Sequence, residues 1–141
     1  MLLISISPLC AQQVVDGDTL KKGDKFFRIF GIDAPEKKQL CSINKQEWAC
    51  GLIAISELKK IITGKVLKCE KRDIDRYKRI VAVCFADGRD IGKIMVSSGW
   101  ALAYREYSMD YVRDEETAKS KKLGIWSSEF VKPWQLRKNK N

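Results

Sequence analysis

Apolar and polar positions alternate in short runs through residues 14–30, interrupted by Asp16-Gly17-Asp18 and by the turn Lys22-Gly23-Asp24. Alternation between such punctuation marks half-buried strands, so two or three short β-strands are expected here. From Leu52 the period lengthens. Leu52, Ile55, Leu58, Ile61 and Ile62 follow helical spacing, with Gly64 as the stop signal, which predicts a helix over 52–62. Residues 31–50 keep no period; with Pro35, many polar residues and Trp48 they read as a long loop, and loops of this kind in compact domains often carry function. Residues 66–70 and 81–85 are β-like runs that pair as a hairpin, with 73–79 as its polar tip and Ala86-Asp87-Gly88-Arg89 as the next turn. A short helix follows over about 91–98, ending at Gly99. The pattern predicts a third helix over about 108–123, closed by Gly124, with Asp110, Asp114, Glu115 and Glu116 early and Lys119, Lys121 and Lys122 late, the order the helix dipole favours. Strands first and helices later argue for an α+β fold with a small antiparallel β-barrel.

The two ends read differently. Residues 1–11 are apolar with a short Leu9-Cys10-Ala11 close before Gln12, but carry no Lys or Arg. They fit either the end of a truncated signal peptide, the preferred reading, or a first β-strand. Residues 12–134 form the expected domain, and 135–141 a basic C-terminal tail.

A chain of 141 residues, 45% hydrophobic and 32% charged, suits one globular domain and excludes the compositions of disorder and of fibrous repeats. The 27 Lys and Arg exceed the 18 Asp and Glu, leaving a net charge of +9 that favours polyanionic partners. No apolar run is long enough to span a bilayer. Histidine is absent, which removes Ser-His-Asp and Cys-His catalysis and His-ligated zinc. Carboxylates, Arg, Lys, Tyr and Cys remain. The spacing of Cys10, Cys41, Cys50, Cys69 and Cys84 lacks the C-x-x-C pattern of a zinc site. Cys41 and Cys50 flank a loop while Cys69 and Cys84 lie on the two hairpin strands; a disulfide framework and a set of reduced, buried thiols both fit.

Acidic residues stand in tight local settings at Asp18, in Val15-Asp16-Gly17-Asp18-Thr19, and at Asp33 and Glu36, in Gly31-Ile32-Asp33-Ala34-Pro35-Glu36. Each fragment alone is turn chemistry. Two carboxylate-bearing turns separated by a hairpin can converge at one barrel end, and hard oxygen ligands without His or thiolate suit Ca²⁺ or Mg²⁺. Arg28 interrupts the apolar run Phe27-Arg28-Ile29-Phe30, and Arg79 closes Asp75-Arg76-Tyr77-Lys78-Arg79. A guanidinium beside carboxylates needs a partner, and phosphate matches its planar fork.

In order and spacing these segments resemble the staphylococcal nuclease-like (thermonuclease) family over residues 14–134. Val15-Asp16-Gly17-Asp18-Thr19 resembles its first metal-binding segment. Arg28 with residues 31–36 resembles its catalytic segment. Asp75-Arg76-Tyr77-Lys78-Arg79 is similar to its Asp-Arg-Tyr-Gly-Arg hairpin, and Gly124-Ile125-Trp126 to the close of its last helix. The cysteines, Trp48-Ala49-Cys50-Gly51 and Phe130-Val131-Lys132-Pro133-Trp134 resemble an exported bacterial branch.

The resemblance implies a five-stranded OB-fold-like antiparallel β-barrel with three helices, pairing of Cys41 with Cys50 and of Cys69 with Cys84, and a monomer exported to the periplasm or secreted. It implies a Ca²⁺-dependent, sequence-nonspecific nuclease acting on DNA and RNA, preferably single-stranded or frayed, and leaving 3′-phosphate ends; Mg²⁺ is the weaker candidate cofactor. Asp18, Asp33 and the backbone carbonyl of Ala34 would hold the metal, Asp16 would orient water around it, and Glu36 would lie beside the attacking water. Arg28 and Arg79 would clamp the scissile phosphate. Tyr77 and Lys78 would contact substrate, with Lys78 replacing the family's glycine, and Tyr107 or Tyr104 would stack on a base. The competing expectation is a noncatalytic nucleic-acid or protein-binding module on the same OB-fold, which would lack these side chains.

Overall fold

The computed structural model describes residues 12–140; the segment read as signal or strand, with Cys10, lies outside them. Strands β1 (Gln12–Asp16), β2 (Thr19–Lys22) and β3 (Lys25–Ile29) form an antiparallel meander, as the alternation predicts. A register shift between Val14 and Asp16 distorts the end of β1, where bulges commonly re-aim side chains. The predicted hairpin is longer than its apolar runs: β7 (Leu67–Ile74) pairs with β8 (Ile80–Ala86).

The main sheet has the order β1-β2-β3-β8-β7, with β9 (Arg89–Asp90) added beside β8. This matches the five-stranded α+β expectation, with two refinements. Strands β3 and β8 run parallel, so the sheet is mixed. A parallel neighbour requires a crossover of a dozen or more residues, and the chain between β3 and β8 supplies one. Among the described residues no hydrogen-bonded pair joins β7 to β1, and helix α1 (Cys50–Ile62) lies against β1.

The loop at 31–50 is more ordered than its sequence implies. Strand β4 (Ile32–Asp33) pairs with β10 (Leu102–Ala103), and β5 (Cys41–Ile43) with β6 (Gln46–Trp48). Helix α2 (Ile91–Ser97) is capped by Asp90, which accepts from the Lys93 amide. Helix α3 (Val112–Ser120) is shorter than predicted, because the Ser108 hydroxyl takes the Asp110 amide at 3.0 Å and Lys122 turns left-handed at φ 55°. A 3₁₀ turn follows at Gly124–Ser127.

A fourth helix, α4 (Pro133–Asn139), occupies most of the segment read as a basic tail; Pro133 in its first turn suits a position with no amide to satisfy. The main core holds Leu20, Ile29, Leu58, Ala82 and Met95 between sheet and helices. A second, smaller core joins Cys41, Cys50, Leu102 and Ile125 under Trp48 and Trp126.

Both cysteine pairs are bonded, Cys41 to Cys50 and Cys69 to Cys84. The second joins directly opposed residues of β7 and β8.

Candidate active site

The turn joining β1 to β2 sits close to the chain at Ala34. A Cβ on Gly17 would stand 2.7 Å from the Ala34 Cβ and 3.1 Å from that of Ala54, so only glycine allows this approach. The approach delivers Asp18: its Oδ2 accepts from the Ala34 amide at 2.9 Å, and its Oδ1 from the Thr19 hydroxyl at 3.1 Å. Thr19 lies opposite Arg28 across β2 and β3, which brings Arg28 to the same place. Asp33 is fixed by β4, opposite Leu102, and its side chain has no solvent exposure.

One nitrogen, Arg28 Nη2, lies 3.4 Å from Asp18 Oδ2 and 3.3 Å from Asp33 Oδ1. The two carboxylates are therefore close enough to share a single cation, and their hard oxygens fit Ca²⁺ or Mg²⁺. Among the described residues no group of three acidic, His or Cys side chains gathers at metal-binding spacing. An ion held between Asp18 and Asp33 would take its remaining ligands from backbone oxygen and water.

Glu36 follows Pro35 and is placed through its backbone. Its amide donates to Gln39 Oε1 at 3.1 Å, and its carbonyl accepts from the Gln39 amide at 2.8 Å. The Gln39 carbonyl in turn accepts from Gly51 at the start of α1, at 3.1 Å. Gln39 also reaches forward: its Nε2 donates to the Val131 carbonyl at 2.6 Å. Beside it, Ser42 and Glu129 exchange backbone hydrogen bonds at 2.9 and 2.8 Å, and the Trp48 indole donates to the Ser128 hydroxyl at 2.7 Å. The loop bearing Glu36 is thus stitched to residues 128–131.

That stitching brings in a residue the sequence pattern did not single out. Arg137 of α4 takes both Asp33 oxygens, Nη1 to Oδ1 and Nη2 to Oδ2, each at 3.0 Å, and Nη1 also donates to Glu36 Oε1. Read as one of several tail charges, Arg137 had no visible partner; the sequence signal was Pro133 opening a helix that presents it. Gln39 was equally silent, being one polar residue in a polar loop.

Electrostatics follow from this crowding. Burial, then the Asp18 and Glu36 carboxylates, push Asp16 up to about 6. Burial likewise pushes Asp33 up to about 6, against the hydrogen bonds and charge of Arg137 and the charge of Arg28. Partial burial works against the charge on Arg137, but its bonds to Asp33 and Glu36 outweigh that and hold it more firmly protonated.

The hairpin tip supplies Arg79. Asp75 Oδ1 accepts from the Tyr77 and Arg79 amides at 2.9 and 3.0 Å, while Oδ2 takes Arg79 Nε at 2.7 Å. Burial tends to raise Asp75, yet these bonds prevail and hold its carboxyl below the usual range. The charge of Arg79 also acts on Asp16, favouring its ionised form. Lys78 adopts φ 63°, the left-handed conformation for which a glycine is better suited. Tyr77 is exposed, with Arg76 4.9 Å and Arg79 5.4 Å from its ring centroid.

Tyr104 and Tyr107 occur together, their ring centroids 5.0 Å apart, and Tyr104 also stacks on Trp134 of α4 at 5.3 Å. Burial, then Glu106 and Asp33, raise the Tyr104 hydroxyl above its ordinary value.

Residues 26–128 match the family model described as staphylococcal nuclease homologue. The chain is 32% identical to an "Uncharacterized endonuclease" of Escherichia coli, over 99% of this chain and 95% of that protein. It is 32% identical to the "Succinoglycan biosynthesis protein ExoI" of Rhizobium meliloti over 86% of this chain, spanning 66% of that protein. Similarity to the "Staphylococcal-like nuclease CAN1" of Arabidopsis thaliana reaches 35% over 80% of this chain, but covers only 33% of the plant protein.

Proposed function

We propose, from the premise that this chain belongs to the staphylococcal nuclease homologue family, that it is a nuclease that hydrolyses phosphodiester bonds of DNA and RNA in a Ca²⁺-dependent, sequence-nonspecific way. The observation that carries this reading is the convergence of Asp18, Asp33 and Arg28 on one point, with Glu36 tied to Asp33 through a shared guanidinium. A noncatalytic module on the same fold would have no reason to keep such a set.

Asp18 and Asp33, with the Ala34 carbonyl, would hold the divalent cation. Bound there, the cation supplies Lewis-acid polarisation of a phosphoryl oxygen and a nucleophile at neutral pH. Asp16, beside them, would orient solvent. Glu36 positions the attacking water and accepts its proton as the new P–O bond forms. The bond to the 5′-oxygen of the next nucleotide breaks, that oxygen regains a proton from solvent, and a 3′-phosphate remains. Arg28 and Arg79 offset the charge that grows on the phosphoryl oxygens. Strand binding rests on the excess basic charge, which contacts phosphates without reading bases, on stacking against Tyr104 or Tyr107, and on contact of Tyr77 with a terminal phosphate. Lys78 adds a cation at the hairpin tip.

The two disulfides support export to an oxidising compartment. No helix among the described residues is long and apolar enough to cross a membrane.

Cleavage of single-stranded DNA with Ca²⁺ and with chelator, in wild type and in Arg28→Ala, Glu36→Ala and Arg79→Ala, tests the assignment. Each substitution is expected to cost about 10²-fold or more. Full activity in chelator, or wild-type rates in all three variants, would overturn it.

A further inference from the structure

The Asp33 carboxylate is inaccessible to solvent and covered by two guanidiniums that belong to the chain itself. Arg28 contributes one contact to Oδ1 at 3.3 Å, while Arg137 takes both oxygens at 3.0 Å and Glu36 as well. Arg137 arrives from the outside: its side chain is 40% exposed, against 0% for Asp33. The same α4 carries Trp134, stacked on Tyr104. One short helix therefore covers a proposed metal ligand, the proposed water-binding carboxylate and a proposed base-stacking ring.

A divalent cation needs oxygen lone pairs that the Arg137 fork now occupies, and a doubly charged ion beside a guanidinium in a partly buried site is repelled by it. We propose that Arg137 is an internal counter-cation that competes with the divalent cation for Asp33, so that metal binding and docking of α4 oppose each other. The proposal rests on the reading of Asp33 as a ligand. Its logic is reciprocal: if Arg137 weakens the cation's hold by some factor, the cation weakens α4 docking by the same factor. A helix of seven residues, mostly at the surface, is the kind of element that detaches locally without global unfolding. Release of Arg137 would leave Glu36 free to face water and open the aromatic ledge at Tyr104, coupling cation arrival to substrate access.

The test titrates Ca²⁺ alone, without nucleic acid, into the full chain by calorimetry at low ionic strength, in wild type and Arg137→Gln. Amide hydrogen exchange across residues 133–139 is followed with and without Ca²⁺. Arg137→Gln is expected to bind Ca²⁺ on the order of tenfold more tightly. Wild-type α4 is expected to exchange faster when Ca²⁺ is added, and Arg137→Lys, which keeps the charge but loses the two-pronged contact, to bind Ca²⁺ with an affinity between those of wild type and Arg137→Gln. Equal or weaker Ca²⁺ binding by Arg137→Gln overturns the proposal, as does unchanged or slower α4 exchange in the wild type, a measurement that requires no variant. Binding of Ca²⁺ by neither protein overturns the ligand assignment itself, and the competition with it.

Discussion

A methyl group at position 51 tests how Glu36 is held. The Cβ of an alanine there would lie 1.9 Å from the Glu36 carbonyl oxygen, 2.7 Å from the Lys37 carbonyl oxygen and 2.9 Å from the Lys37 carbonyl carbon. Contacts under 3.0 Å are essentially never found for a real Cβ, so helix and loop must separate by at least 3.0 − 1.9 = 1.1 Å. Every obstacle is backbone, and no rotamer change relieves it. Helix α1 is anchored by the buried Ala54 and, in the main core, by Leu58 and Ile62, so the loop bearing Glu36 takes the displacement. A misplacement of about 1 Å at a reacting group costs about 10²-fold in rate, and overpacking costs about 1–3 kcal/mol of stability. Gly51→Ala should therefore lose about 10²-fold in kcat on single-stranded DNA with Ca²⁺, with KM little changed, assayed well below its melting temperature. Gly64→Ala is the control: it strains a backbone at φ 73° but meets nothing within 4 Å, so it should lower stability and leave the rate intact. A folded Gly51→Ala protein with wild-type kcat would refute the idea that α1 sets the position of Glu36.

Asp16 titrates near 6 in the folded chain against 3.8 in the unfolded one, so the native state keeps a proton the unfolded state has already lost, and Asp16 costs stability as pH rises across that window. Asp16→Asn should exceed wild type by about 1–2 kcal/mol in urea unfolding at pH 8, with the difference vanishing near pH 3.5; a difference independent of pH would refute this. Asp75→Asn keeps an acceptor for the turn amides but loses the charged partner of Arg79 Nε, so kcat should fall about tenfold with the fold retained, and an unchanged kcat would show that Arg79 needs no such anchor. Intact mass should rise by four hydrogens on reduction of the two disulfides. Replacing Cys41 and Cys50 by serine should cost about 2–4 kcal/mol in thermal melting, and an unaltered melt would refute a stabilising role.

The parts of the site legible in the sequence are those built from local turns. Asp18 and Asp33 sit in short glycine-bearing segments, and Arg28 interrupts an apolar strand, so residue type and position together pointed to a charged partner. The β5–β6 hairpin was hidden because its strands are three residues each, too short for alternation to register, and its left-handed turn uses Asn44 and Lys45 rather than Asn-Gly. The parallel pairing of β3 with β8 leaves no local trace, because it is fixed by packing across the crossover. Arg137 was invisible for a related reason: it lies 104 residues from Asp33, and helix α4 is too short for its period to stand out among basic residues.

The stitching of residues 128–131 to the Glu36 loop sets an order in time as well as in space. Gln39 waits 92 positions along the chain for Val131, and Trp48 waits 80 for Ser128. During synthesis the loop emerges well before its clasp, so the links from Gln39 and Trp48 to residues 128–131 close only late in chain growth.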